Sequence, residues 1–121
     1  MKYTIASGPV VIENGKVLLN KHGDDEFFKF IGGRIKEGES FEECAKRRAK
    51  EEMGVEVDLI KPLKPMIIHK ENKKIILIHF LAKRTNDNID PAEFVREWEW
   101  FPVDSLPEDL GPNIKPVLKS V

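Results

Sequence analysis

The order of periodic segments along this 121-residue chain predicts an α/β (α+β) fold: a mixed β-sheet with one central helix and one short C-terminal helix. Three features carry that reading. Asn14-Gly15 stands between two strand-like runs, a dipeptide that favours the type I′ turn of a tight hairpin. Ser40 and Glu43 open an amphipathic stretch that ends at Gly54, the pattern of a capped helix. Beyond it lie further strand-like runs and a short helical tail, so strands flank a helix and need helices on the sheet faces to bury them.

Taken in order, Tyr3–Ala6 reads as a first strand, and Gly8-Pro9 as a break or bulge before the hairpin strands Val10–Glu13 and Lys16–Asn20. Phe27–Ile31 reads as a short strand leading into a glycine loop at Gly32, Gly33 and Gly38. The helix covers Phe41–Met53. Val55–Leu63 is extended, and Met66–His69 and Ile75–Ala82 are strands joined by a Lys/Glu/Asn turn. Thr85–Pro91 is a polar loop, Phe94–Phe101 a strand, and Ile114–Lys119 a final helix with Pro116 in its first turn, where a missing N–H costs little.

In the central helix, Ser40 accepts from the backbone N–H three residues on while Glu43 reaches back. At about 100° per residue, Cys44, Arg48, Glu51, Glu52 and Val55 share one arc, with Phe41, Ala45 and Ala49 beside it as the stripe that packs on the sheet. Glu42, Lys46 and Lys50 point to solvent. Two adjacent carboxylates, Glu51 and Glu52, sit where the helix dipole is negative and prefers cations. A divalent metal, Arg48 one turn earlier, or bulk solvent can offset that cost. An E-E pair on a Lys/Glu-rich helix is also what a solvated face looks like, so the pair alone decides nothing. An oxygen-only site of this kind suits Mg2+ or Mn2+.

Composition bounds the function. Apolar residues make up 40% and charged residues 34%, as in a globular domain, and the formal net charge is −1 without a basic block. Nucleic acid is therefore not an expected partner. The one cysteine, Cys44, excludes an intramolecular disulfide and reads as a small buried residue. No apolar run is long enough to span a bilayer and no signal peptide is present, so no membrane association is expected and the cytoplasm is the expected compartment.

Gly33, Glu39, Arg47, Glu51, Glu52, Gly54 and Val55 fall in the register of G-x5-E-x7-R-E-U-x-E-E-x-G-U, with Ala49 a small stand-in at the first U. In this the chain resembles the Nudix (MutT-like) hydrolase family. The box covers 33–55, and outside it the likeness is one of pattern across 1–121, read as a single Nudix-like domain. The resemblance implies an α/β/α sandwich and hydrolysis of a nucleoside diphosphate linked to another moiety, X, with Mg2+ or Mn2+. It implies metal binding by Glu51, Glu52 and the carbonyl of Gly32, with Gly33, Glu39 and Arg47 bracing the loop against the helix. Two positions depart from it: Ile31, where many relatives have proline, and Arg48, where the family has the first glutamate of R-E-U-x-E-E.

Arginine has five donors, no acceptor and a permanent charge, so Arg48 can neither ligate a metal nor act as a base. Three or four residues before Glu51 and Glu52, it can instead pair with either and stand where a metal would. The outcomes are a hydrolase with fewer metals and a base from elsewhere, a weak or unusual hydrolase, or a binding domain without catalysis. Many relatives carry a further metal-binding or basic glutamate before a similar tryptophan. That makes Glu97 the first candidate for a recruited base and metal ligand and Glu93 the second, against the reading of Glu93, Glu97 and Glu99 as exposed strand positions.

On the substrate side, Lys21 is a candidate phosphate contact or a solvated loop lysine, and His22 a phosphate contact or an exposed residue. Phe27, Phe28 and Trp98 are candidates for stacking on a base, worth about 1–3 kcal/mol per base, although Phe28 and Phe30 also read as core. Trp98 faces the same way as Trp100 along its strand. His69 and His79, on adjacent strands without a third ligand, read as structural rather than zinc-binding. Two further readings stand beside hydrolysis: a non-catalytic domain that binds a nucleotide or a protein partner, and an isomerase or transferase on the same fold. Small members of the family often form homodimers, but no interface is readable here.

Overall fold

The computed structural model describes residues 2–121. Strands β1 (Lys2–Glu13), β2 (Lys16–His22), β3 (Gly33–Arg34), β4 (Val57–Pro62), β5 (Met66–Lys70), β6 (Lys73–Arg84) and β7 (Val95–Pro102) form one sheet, with helices α1 (Phe41–Met53) and α2 (Ile114–Leu118). The central order is β4-β6-β1-β2-β7, with β3 added to β1 and β5 to β6. Among the described residues, strands β1 and β6 pair in parallel and the other strand pairs are antiparallel, so the sheet is mixed.

Alternation along the strands builds a core on each face. Val10, Val17 and Leu19 join Phe28, Phe30, Ile114 and Val117 on the α2 side. Their neighbours Val11 and Leu18 join Ile31, Ala49, Met53 and Val55 on the α1 side. The result is an α/β/α sandwich, each residue step in β1 or β2 crossing from one core to the other.

Local signals act where the sequence puts them. Asn14 and Gly15 take φ of 52° and 75° between β1 and β2, as a type I′ turn needs. The Ser40–Glu43 capping box is complete, and Gly54 closes α1 at φ 63°. Three expectations need correction. Gly8-Pro9 does not break the chain, because β1 runs through it paired to β6. The other edge of β1 pairs with β3 only at Ala6 and Ser7 and with β2 only at Ile12 and Glu13. Pro9, without an N–H, occupies the stretch between. Gly8 is required by close approach: a Cβ there would lie 1.8 Å from the Ile31 carbonyl oxygen. Phe27–Ile31 is not a strand but two isolated bridges, Phe28 to Leu110 and Lys29 to Asn20. Phe41 is exposed instead of packing on the sheet; Ala45, Ala49 and Met53, with Cys44, form the buried stripe. No helix among the described residues is long and apolar enough to cross a membrane.

Candidate active site

The last turn of α1 brings Glu51 and Glu52 against the Gly32–Gly33 loop and the end of β2. The two carboxylates meet opposite fates. Glu52 is fully buried, and its partners are all protein donors. The Gly32 N–H donates to Oε2 at 2.9 Å, and the Asn20 amide to Oε1 at 3.2 Å. The ring Nε2 of His22 also meets Oε1. Asn20 and His22 are two residues apart on β2 and so share the face that looks at α1. Glu51 stays exposed and accepts from Arg47 at 2.8 and 3.1 Å. Those bonds, with the nearby charge of Arg48, hold its carboxyl below the usual carboxylate range.

Arg47 also grips Glu39 through two bonds, of 2.6 and 3.0 Å, and donates to the Arg34 carbonyl at 2.9 Å. One guanidinium thus ties loop, β3 and helix together. The Arg47 bonds pull the Glu39 pKa down to about 2. Glu39 and Arg47 are thus brought together, with Arg34, the residue after Gly33, on the same guanidinium.

Arg48 sits between the carboxylates, its terminal nitrogens 3.7 Å from Glu51 and 3.6 Å from Glu52. These are ion-pair distances beyond hydrogen bonding, and the buried Nε has no partner at all. The guanidinium lies 5.9 Å from the Phe94 ring centroid, and Phe94 in turn meets the His22 ring edge-on at 5.0 Å. Arg48, His22, Gly32 and Gly33 line a cavity of about 310 Å3. The arginine is thus held by charge and stacking, with its Nε packed against Gly33 and its side chain lining the cavity.

The divalent metal implied by the resemblance can be tested against this donor set. Both oxygens of Glu52 already receive N–H groups, and a permanent cation stands between the two glutamates. Among the described residues no group of three or more His, Cys, Asp or Glu side chains is arranged to hold a metal ion. As placed, these residues do not fit a metal bridging Glu51 and Glu52.

Glu97 is not brought to this cluster. It pairs in register with Lys21, whose neighbours Asn20 and His22 both reach Glu52, so Lys21 and Glu97 share the opposite face. Glu97 lies 3.6 Å from the Lys21 ammonium and 3.5 Å from Arg96. Glu93 is exposed, directly after Ala92, whose N–H donates to the Glu52 carbonyl at 2.9 Å. Lys21 is neither solvated nor free for phosphate: it is buried, bonded to Asp109 at 2.7 Å and stacked 4.5 Å from the Phe28 ring centroid. The Asp109 bond raises its pKa and lowers that of Asp109. Phe28 belongs to the core, edge-on to Phe101 at 4.8 Å, and is no stacking platform. Trp98 remains half-exposed on the α1 face, paired with Asn20. His69 and His79 do not meet, since β5 sets His69 opposite Lys74. Sequence reasoning missed the roles of Asn20 and Phe94; the burial of Glu52 depends on contacts 30 and 32 residues away that no local pattern encodes.

Comparison with known proteins gives the fold a family. The chain superposes on a MutT NUDIX hydrolase from Burkholderia pseudomallei with a TM-score of 0.91 at 20% identity, covering 100% of this chain and 99% of that one. A MutT protein from Methanosarcina mazei Go1 gives 0.87 at 19% identity, covering 98% and 91%. A UDP-X diphosphatase gives 0.85 at 16% identity, covering 99% of this chain but 63% of that longer one. At these identities the likeness is one of fold. The sequence model of the NUDIX domain matches residues 2–121, and the chain belongs to that family.

Proposed function

We propose that this chain is a hydrolase of the phosphoanhydride bond in a nucleoside diphosphate joined to another group, acting slowly, as one domain and in the cytoplasm. One observation carries the reading: Arg48, a permanent cation, lines a cavity walled by the Gly32–Gly33 loop, and its terminal nitrogens stand beyond hydrogen-bond distance of Glu51 and Glu52. A guanidinium is well matched to phosphoryl oxygens, which it can bind with two parallel bonds. Positioning and charge neutralisation supply most of what phosphoryl transfer requires. In this scheme Arg48 holds the phosphates and neutralises charge that grows on the bridging oxygen as it leaves. Glu51, the accessible carboxylate, orients the attacking water. With its pKa held low by Arg47 it is a weak base, which limits the rate. One fold relative, a UDP-X diphosphatase, is named for a substrate of the same class.

A second reading, a domain that binds nucleotides without cleaving them, is favoured by the saturation of Glu52 with protein donors. The test incubates the chain with nucleoside diphosphate sugars, ADP-ribose and dinucleoside polyphosphates, each with Mg2+, Mn2+ or a chelator, and follows release of nucleoside monophosphate. Release that falls at least tenfold in Glu51→Gln supports hydrolysis, and the three ionic conditions read its metal requirement. Binding without release in any condition supports the second reading.

A further inference from the structure

Helix α1 covers only part of the sheet face on which it packs. Val11 lies in the core beneath the helix, and the Ser7 hydroxyl donates to the Phe41 carbonyl at 2.9 Å. The odd-numbered residues of β1 therefore face α1, and its first turn stands over Ser7. Tyr3 and Ile5 continue that face past the start of the helix. The strand register adds Lys74 and His69 to the Tyr3 row, and Ile76 and Ile67 to the Ile5 row. Phe41 belongs to the stripe that α1 turns to the sheet, and a helical Cβ leans toward the helix N-terminus, here toward these rows. All of this stays open: Tyr3 is 63% exposed, Ile67 58% and Phe41 39%, with Ile5 and Ile76 half-buried. A contiguous apolar surface of this kind marks a place of contact with another molecule.

The bordering charges select that molecule. At one end Lys74 lies on the face, 5.8 Å from the Tyr3 ring centroid, with exposed Lys70 and Lys73 at the adjoining turn. At the other end, in the loop before α1 and its first turn, exposed Glu37, Glu42 and Glu43 outnumber Lys36. Among the described residues no ion pair takes in Glu37, Glu42, Lys70, Lys73 or Lys74. A membrane surface or a nucleic acid is negative throughout, so the acidic end repels it. A second copy turned end for end offers each end its opposite. The relief is self-complementary as well, because α1 stands as a step beside an uncovered shelf of sheet, and an isologous contact lays each step on the other's shelf.

We propose that this face is a self-association surface for a second copy of the chain. A two-fold axis crossing the strands at the Ile5–Ile76–Ile67 row sets Phe41 of one copy against the Tyr3 and Ile5 rows of the other. It also brings Lys74 of each copy toward Glu42 of its mate. The contact lies outside the Arg48 cavity and does not depend on hydrolysis. An interface centred on three exposed apolar side chains suits a dimer with a Kd of about micromolar or weaker.

The experiment is sedimentation equilibrium of the chain from about 5 to 500 μM, which spans that range of Kd. The wild-type chain is expected to pass from monomer toward dimer across it. Ile67→Lys and Phe41→Ser should each raise the dissociation constant at least tenfold. Ile60→Lys, equally exposed at 59% but on β4, should leave it unchanged. Lys74→Glu and Glu42→Lys should each weaken association, and the double variant should recover it, because the exchanged charges again oppose one another. Melting curves establish that each variant is folded. A monomer at every concentration overturns the proposal. So does a dimer that persists in both Ile67→Lys and Phe41→Ser, or one that Ile60→Lys weakens as much as Ile67→Lys does. Failure of the double charge exchange to recover association overturns the end-for-end arrangement.

Discussion

The guanidinium of Arg48 lies 3.6 Å from the carboxylate of Glu52, a side chain with no solvent exposure, and makes no hydrogen bond to it. Burying a carboxylate is tolerable when a permanent cation stands one turn earlier and the remaining lone pairs are filled. Gly32, Asn20 and His22 fill them. The ion pair leaves the terminal nitrogens of Arg48 beyond hydrogen-bond distance of both glutamates.

Glu52→Gln should destabilise the fold by about 1–3 kcal/mol, because an amide NH2 placed among donors cannot replace a carboxylate oxygen. Denaturant unfolding followed by circular dichroism measures this. An unchanged midpoint and slope would mean that Glu52 is not the acceptor at the centre of the cluster.

Arg48 and Glu52 should be energetically coupled. Arg48→Met leaves the buried charge with less compensation, so the double variant Arg48→Met/Glu52→Gln should lose less than the sum of the singles, by about 0.5–3 kcal/mol. Strict additivity would make the 3.6 Å approach electrostatically idle.

Gly8→Ala should cost about 3 kcal/mol or prevent folding, since its Cβ would sit 1.8 Å from a backbone oxygen that cannot swing aside. Ser40→Ala, which removes the N-cap acceptor of α1, should cost about 1 kcal/mol. Thermal melts of the pair rank the two effects, and the reverse order would contradict the loop packing.

Acid should weaken the fold in two steps. The His79 pKa falls from 6.5 to about 4 on folding, so the unfolded chain takes up this proton first. Its contribution is complete above pH 6.5, is lost as the pH falls toward 4, and amounts to about 3 kcal/mol at most. Glu39 is depressed to about 2, so its contribution is present above the ordinary carboxylate range and fades as the pH drops from 4.5 to 2. Stability curves against pH should lose the first step in His79→Leu and shrink the second in Glu39→Gln.

How much of this was legible in the sequence depends on the range of each contact. The bounds of α1 followed from Ser40, Glu43 and Gly54, because caps act within one turn. The hairpin followed from Asn14-Gly15 in the same way. Glu97 was misplaced because its face depends on the register of β7 against β2, where a shift of one residue reverses every side chain. Lys21 was misread because its partner, Asp109, is 88 residues away. Arg48 was legible as a departure and as a partner for Glu51 and Glu52. That its hydrogen bonds go unused could be learned only from the packed site.

The most direct test of the central claim is the rate of nucleoside monophosphate release by the wild-type chain, Arg48→Ala and Arg48→Glu, at equal enzyme and nucleoside diphosphate sugar concentrations. The account predicts measurable wild-type turnover that falls at least tenfold in both variants, because each removes the group that holds the phosphates. An inert wild-type chain beside an active Arg48→Glu would contradict it and identify the native site as one that binds without cleaving.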